Sequence, residues 1–259
     1  MMTAPAPFPS PNRQTGFTLV EMGIVLMIMA LLLGGLLPTI TSQVEQRHEN
    51  DTRKQLDEIQ QALIGYAVIN GRLPCPATST SNGAESFAVG GNISNGNCSN
   101  FFNGYVPAAT LGLSGATNAG LILDSWGNPI RYAVTSWNSP SPVLPDVFTT
   151  ANGMHTVGIS NLAPTSLLVC STSTGIATSS CSSGKALTTN GVPAVIFSTG
   201  KNGAQGSAGT DEAVNLHNSP YANYQTYVSH LPSPNFDDIV IWLSPNVLIN
   251  RMVSAGKLP

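Results

Sequence analysis

The sequence predicts an α+β chain that opens with one very long helix. Three observations lead there. A single apolar run, Phe17–Leu37, is followed by helical spacing of apolar residues as far as Asn70. The rest of the chain holds short strand-like runs separated by turn residues. Charge is scarce and clustered: 9% of 259 residues are charged, and eight charged residues lie between Glu45 and Glu58. An ordinary soluble domain carries roughly a quarter. Ser, Thr and Asn fill 72 positions instead. Ten Lys+Arg against 13 Asp+Glu argue against a nucleic-acid binder that works through a basic patch. A net charge of −3 with 42% apolar residues argues against charge-driven disorder. One long apolar run excludes a polytopic membrane protein.

The helix comes first. Phe17–Leu37 contains one charge, Glu21, and one hydroxyl, Thr18. At about 1.5 Å per residue this run just crosses a hydrocarbon core of about 30 Å. Residues 1–16 are proline-rich, with Arg13 as their one basic side chain, which favours an N-terminus in the cytoplasm. A secretory signal peptide would end at a small-residue cleavage site, and Leu36-Leu37-Pro38-Thr39 is a poor one. A plain signal anchor leaves Glu21 unexplained, because a carboxylate at membrane depth is costly and needs a partner. Pro38 is expected to kink the helix. Ile40, Val44, Leu56, Ile59, Leu63 and Tyr66 continue the helical spacing, Asn70-Gly71 caps it, and Pro74 forbids continuation. Residues 17–70 then make about 80 Å of helix, too long for one small domain to cover. Glu49/Arg53 and Lys54/Glu58 have i,i+4 spacing, which suits a solvated face or pairing between subunits.

The body follows. Leu121–Leu123, Ile130–Thr135, Val157–Ser160, Leu167–Ser171, Ala194–Ser198 and Asp238–Leu243 read as short strands. Asp124-Ser125-Trp126-Gly127-Asn128-Pro129 reads as a tight turn with Trp126 in the core. Ser244, Pro245 and Gly256 bracket a short terminal helix. Cys75, Cys98, Cys170 and Cys181 allow three pairings. Neighbour pairing, Cys75–Cys98 and Cys170–Cys181, closes two short polar loops and is the expected one. Disulfides suit an oxidising compartment. No zinc spacing, hydrolase motif or nucleotide-binding loop occurs. Ser182-x-x-Lys185 and Ser198-x-x-Lys201 match S-x-x-K only formally, beside turn glycines, and His48, His155, His217 and His230 are dispersed. The expectation is no enzyme.

Gly16-Phe17-Thr18-Leu19-Val20-Glu21 resembles the cleavage site of the type IV prepilin family, which includes the pseudopilins of type II secretion. The resemblance implies that a prepilin peptidase cuts between Gly16 and Phe17 and that Phe17 becomes N-methylated. It implies that Glu21 meets the N-terminal amine of a neighbouring subunit, so two groups costly in lipid offset one another. It divides the chain into a leader (1–16), a long helix (17–70, with 17–37 transmembrane) and a periplasmic head (71–259). It implies a pilin-like fold, in which the second half of the helix packs on a small antiparallel β-sheet.

The Asp124–Pro129 segment is similar to one in the major pseudopilins. So is the order of a glycine loop at 199–212, an acidic pair, Asp237 and Asp238, and a closing strand with Trp242. There the resemblance implies calcium, the one cofactor considered, with Asp237 and Asp238 as ligands beside loop carbonyls, whereas the residues by themselves also read as a solvated acidic turn. This chain departs from the pattern: Lys201 and Asn202 stand where the family has an aspartate, and the interval to Asp237 is longer. Asp211 and Glu212 are the acids that can compensate.

The function expected is a structural subunit of a pilin-like filament, a pseudopilin held by a single pass in the inner membrane. Its partners are prepilin peptidase, other pilin-like subunits and an inner-membrane assembly platform, with no nucleic acid. The alternatives are a minor type IV pilin acting in pilus assembly, adhesion or DNA uptake, and a membrane-anchored binding module that never polymerises.

Overall fold

The computed structural model describes residues 16–162, 166–188, 190–203, 210–217 and 220–258, without the side chains of 34–40 and 210. Helix α1 runs Leu19–Asn70, two residues shorter at its start than the sequence suggested, and it continues through position 38. Gly71 ends it at φ +68, with its N–H on the Ala67 carbonyl. The left-handed φ favours glycine, and a Cβ there, 2.8 Å from Asn152 Oδ1, would also displace the Asn152 amide.

The chain forms two compact units, Met1–Arg47 and His48–Pro259. In the first, every described side chain from Gly16 to Leu33 is exposed. Phe17 is 80% and Leu19 91% accessible. Among the described residues no helix is long and apolar enough to cross a membrane. The span expected at 17–37 is therefore a reading of the sequence.

The second unit is built on a four-stranded antiparallel sheet of order β1-β2-β6-β8, with β1 Gly104–Tyr105, β2 Arg131–Val134, β6 Ala194–Ser198 and β8 Ile239–Leu243. Register is set by Tyr132↔Ile196 and Ile196↔Ile241. Alternation along these strands sorts side chains onto two faces. Tyr132, Val134, Ala194, Ile196, Ile239 and Leu243 join Leu56, Ile59, Leu63 and Ala67 of α1 in the main core. Ala133, Val195, Phe197 and Val240 point the other way. They meet Leu167, Val169 and Tyr227, which belong to or adjoin a parallel pair, β5 Leu168–Cys170 with β7 Thr226–Val228. With both faces covered, all five residues of β6 are buried. Of the helix stripe read from sequence, Leu56, Ile59 and Leu63 are buried and Val44 is exposed.

The smaller elements are α2 Ala108–Leu111, the hairpin β3 Ser139–Pro140 and β4 Val143–Leu144, α3 Gly153–Val157, α4 Thr210–Asn215 and α5 Pro245–Ser254. Two strand expectations fail. Val157–Ser160 is the end of α3 running into a 3-10 turn, Ile159–Asn161, because Gly158 at φ 74 breaks the extended path. Leu121–Leu123 contributes only a bridge, Leu123↔Pro129, because the Asp124 turn folds the chain straight back.

The disulfides join Cys75 to Cys98 and Cys170 to Cys181. Beside the first lies a buried ion pair. Arg72 Nη1 and Nη2 donate to Glu85 Oε2 and Oε1 at 2.7 and 2.6 Å. Nη2 also donates to the Tyr66 hydroxyl, and the Cys75 N–H donates to Glu85 Oε2. The network ties the end of α1 to the first disulfide loop.

Candidate functional site

Two places carry the candidate residues. At the N-terminus Gly16 and Phe17 are exposed, with nothing among the described residues within 4 Å of a Cβ built on Gly16. Thr18 and Glu21 form a reciprocal pair: the Glu21 N–H donates to Thr18 Oγ1 at 3.2 Å, and the Thr18 N–H to Glu21 Oε2 at 3.5 Å. This is a capping box, in which a hydroxyl and a carboxylate three residues apart satisfy orphan donors of the first helical turn. Thr-x-x-Glu before an apolar run is its sequence signal, and the sequence reading passed over it. In the single chain, Glu21 therefore already serves its own helix.

The second place lies at the start of β8. Carboxylate oxygens of Glu212, Asp237 and Asp238 lie within 4.8 Å of one another. Asp237 and Asp238 were the acids expected; Glu212, on α4, completes the cluster. Asp211 turns elsewhere, accepting from the Ser173 N–H at 2.7 Å and facing His230 Nε2 at 3.1 Å. The glycine loop meets the cluster through its backbone. The Asn202 N–H donates to Asp237 Oδ2 at 3.1 Å, and Asn202 Nδ2 lies 3.1 and 3.2 Å from the two Glu212 oxygens. The Asp237 N–H donates to Glu212 Oε1 at 3.0 Å. The loop residues 204–209, whose carbonyls were expected to contribute, lie outside the described residues.

Burial pushes the Asp238 carboxyl up to about 8, and the charges of Glu212 and Asp237 add to it against the Asn215 amide. Asp237 is raised as well, first by burial, and the Asn202 and Lys201 N–H groups hold it down. Asn202 Oδ1 and Asp237 Oδ1 are buried and have no hydrogen-bond partner among the described residues. Crowded carboxylates with two unpartnered oxygens are a donor set suited to a hard divalent cation.

The remaining candidates are dispersed. Ser198 Oγ donates to Asp124 Oδ2, and Ser182 Oγ to the Thr174 carbonyl. The His48 ring lies 5.8 Å from that of Trp126, and both nitrogens of His217 face carbonyl oxygens.

The prokaryotic N-terminal methylation motif matches residues 11–37. Competence protein ComGC of Halalkalibacterium halodurans is 38% identical over 63 residues, which are 24% of this chain and 62% of that protein. The match thus spans about three-fifths of this relative's length. No solved structure matches. The methylation motif, the likeness to the competence protein over a quarter of the chain and a long helix followed by an antiparallel sheet agree with one another and support a type IV pilin-like chain.

Proposed function

We propose that this protein is a non-enzymatic structural subunit of a pilin-like filament, a pseudopilin of type II secretion. The observation that carries the filament reading is the methylation motif with Glu21 inside an apolar, fully exposed stretch. Apolar side chains from Phe17 to Leu33 with no cover in the single chain need lipid before assembly and sister helices after it. The subunit waits in the inner membrane by a single pass with its head in the periplasm. Prepilin peptidase cuts between Gly16 and Phe17. The assembly platform then passes the subunit to its neighbours. The Asp124–Pro129 turn and the acidic pair before β8 support the secretion branch.

A second reading draws on the printed name of the relative, a competence protein: a pilus subunit serving DNA uptake. Deleting the gene separates the two. Loss of protein export with surface pili intact supports the first; loss of pili or transformation with export intact supports the second.

Glu212, Asp237 and Asp238 would hold calcium in the head, and the ion would neutralise their mutual repulsion. Linkage gives a test. The folded pKa of Asp238, about 8, lies above its unfolded value, near 3.9. Its contribution to stability is thus fully present below about pH 4 and is lost as pH rises through about 8. Across that window the calcium-free head becomes steadily less stable as pH rises, through this group. Calcium favours the ionised carboxylates, so it should raise the melting temperature much more at pH 8 than at pH 5. Melts in millimolar calcium and in chelator, at both pH values, check this. An absent calcium shift at pH 8 contradicts it.

A further inference from the structure

The glycine loop is held from its far side by the Asp124–Asn128 turn. Asp124 Oδ1 accepts from the Trp126 and Asn128 N–H groups at 3.0 and 2.8 Å, which closes the turn. Asp124 Oδ2 accepts from Ser198 Oγ at 2.5 Å, and Ser198 Oγ in turn accepts from the Gly200 N–H at 3.1 Å. Asn128 Nδ2 donates to the Gly200 carbonyl at 2.6 Å. Asp124, Asn128, Ser198 and Thr199 are all buried. The turn therefore holds the Gly200 carbonyl directly and its N–H through Ser198.

The other side of the same peptide faces the acids. Gly200 sits at φ +61, and a Cβ there would lie 2.5 Å from both Asp237 O and Asp237 Oδ1. That approach demands glycine at a left-handed position. Two residues on, Asn202 bonds Asp237 through its N–H and Glu212 through its amide. A Gly-Lys-Asn segment is pliable, because its glycine admits many backbone conformations. It is clamped between the turn and the acidic cluster. Asn128 thus sets the peptide that approaches the three carboxylates.

We propose that Asn128 is a positioning residue of the acidic site. It holds the Gly200 carbonyl, and so orients the 200–202 backbone that aligns Asn202 and Asp237 for a divalent cation. This rests on the cation reading of Glu212, Asp237 and Asp238. The positioning itself is a property of the cation-free protein and can be measured there. An unheld loop samples other conformations, and alignment must then be recovered at the moment of binding, which weakens affinity.

The experiment uses the full-length protein in detergent micelles, with calcium chloride as the probe. Calcium affinity is read by calorimetry, and amide hydrogen exchange is read over residues 199–203 and 237–238. Asn128→Ala should weaken calcium binding at least tenfold and speed exchange at 200–202, while exchange in α1 and β6 stays at the wild-type rate. A role in general stability would speed exchange throughout the head. Unchanged calcium affinity, or unchanged exchange at 200–202, overturns the proposal. If wild type binds no calcium, the cation reading fails, and the exchange result alone decides whether Asn128 holds the loop. If Asn128→Ala does not fold, Ser198→Ala, which removes the bond to Asp124 Oδ2 and frees the Gly200 N–H, is measured in its place. The same two readouts decide, with faster exchange at 200–202 supporting the proposal and wild-type exchange overturning it.

Discussion

Glu21→Gln should abolish filament assembly while leaving the subunit folded, processed and membrane-bound. Two roles meet at this carboxylate. In the single chain it caps α1 through Thr18. In a filament, by resemblance to the family, it meets the amine of a neighbouring Phe17. Glutamine keeps the capping acceptor and removes the charge. Valine removes both. If the charge carries assembly, the glutamine and valine variants fail alike, because the neighbour's ammonium is left unpaired in a medium of low dielectric. If capping alone mattered, glutamine would assemble and only valine would fail. Complementing the deletion strain with each variant, and recovering filaments by shearing or cross-linking, reads the difference. Loss of assembly should be at least tenfold for both.

Glu85→Ala should destabilise the head by about 3–5 kcal/mol, since it leaves a buried guanidinium without its partner. Arg72 is 3% accessible, and Glu85 takes three of the hydrogen bonds around it: two from Arg72 and one from the Cys75 N–H. For a head of this size that amounts to a fall in melting temperature of roughly 10 °C. Arg72→Met with Glu85→Leu removes both charges and should cost much less than the two single changes added together. Thermal melts of the three variants check this. A single variant that melts within a degree or two of wild type would show that water reaches the pair.

How far the sequence reached depends on whether the relevant signal is local. α1 was legible because its spacing repeats over many turns, and β6 because Ala194–Phe197 is a continuous apolar run between a proline and a glycine turn. The parallel β5–β7 pair was not. Leu168–Cys170 and Thr226–Val228 have three residues each and lie far apart in the chain, so no turn signal joins them. Asp237 and Asp238 stood out as adjacent acids before a strand. Glu212 was one of two equal candidates. Only the fold separates it from Asp211, by turning one toward Asp237 and the other toward His230. Arg72 lies just past the end of α1, and nothing local marks it as buried. Its partner Glu85 lies in the Cys75–Cys98 loop, where a lone acid among polar residues gives no sign of burial.

The role of Asn128 was hidden in the same way. The Asp124–Pro129 segment reads as a turn, and nothing local says that its amide reaches the Gly200 carbonyl. The capping box was fully local, four residues long, yet it lay inside a motif that already had an explanation. Glu21 thus has a helix-terminal role visible in one chain, and the assembly role proposed for it needs two.

The central claim is that the chain is processed at Gly16–Phe17 and then works as a filament subunit. Mass spectrometry of the N-terminal peptide, on protein from the native membrane, tests it most directly. The account predicts a chain that begins with N-methylated Phe17. An intact N-terminus that still carries residues 1–16, or a cut downstream of Leu37, contradicts it.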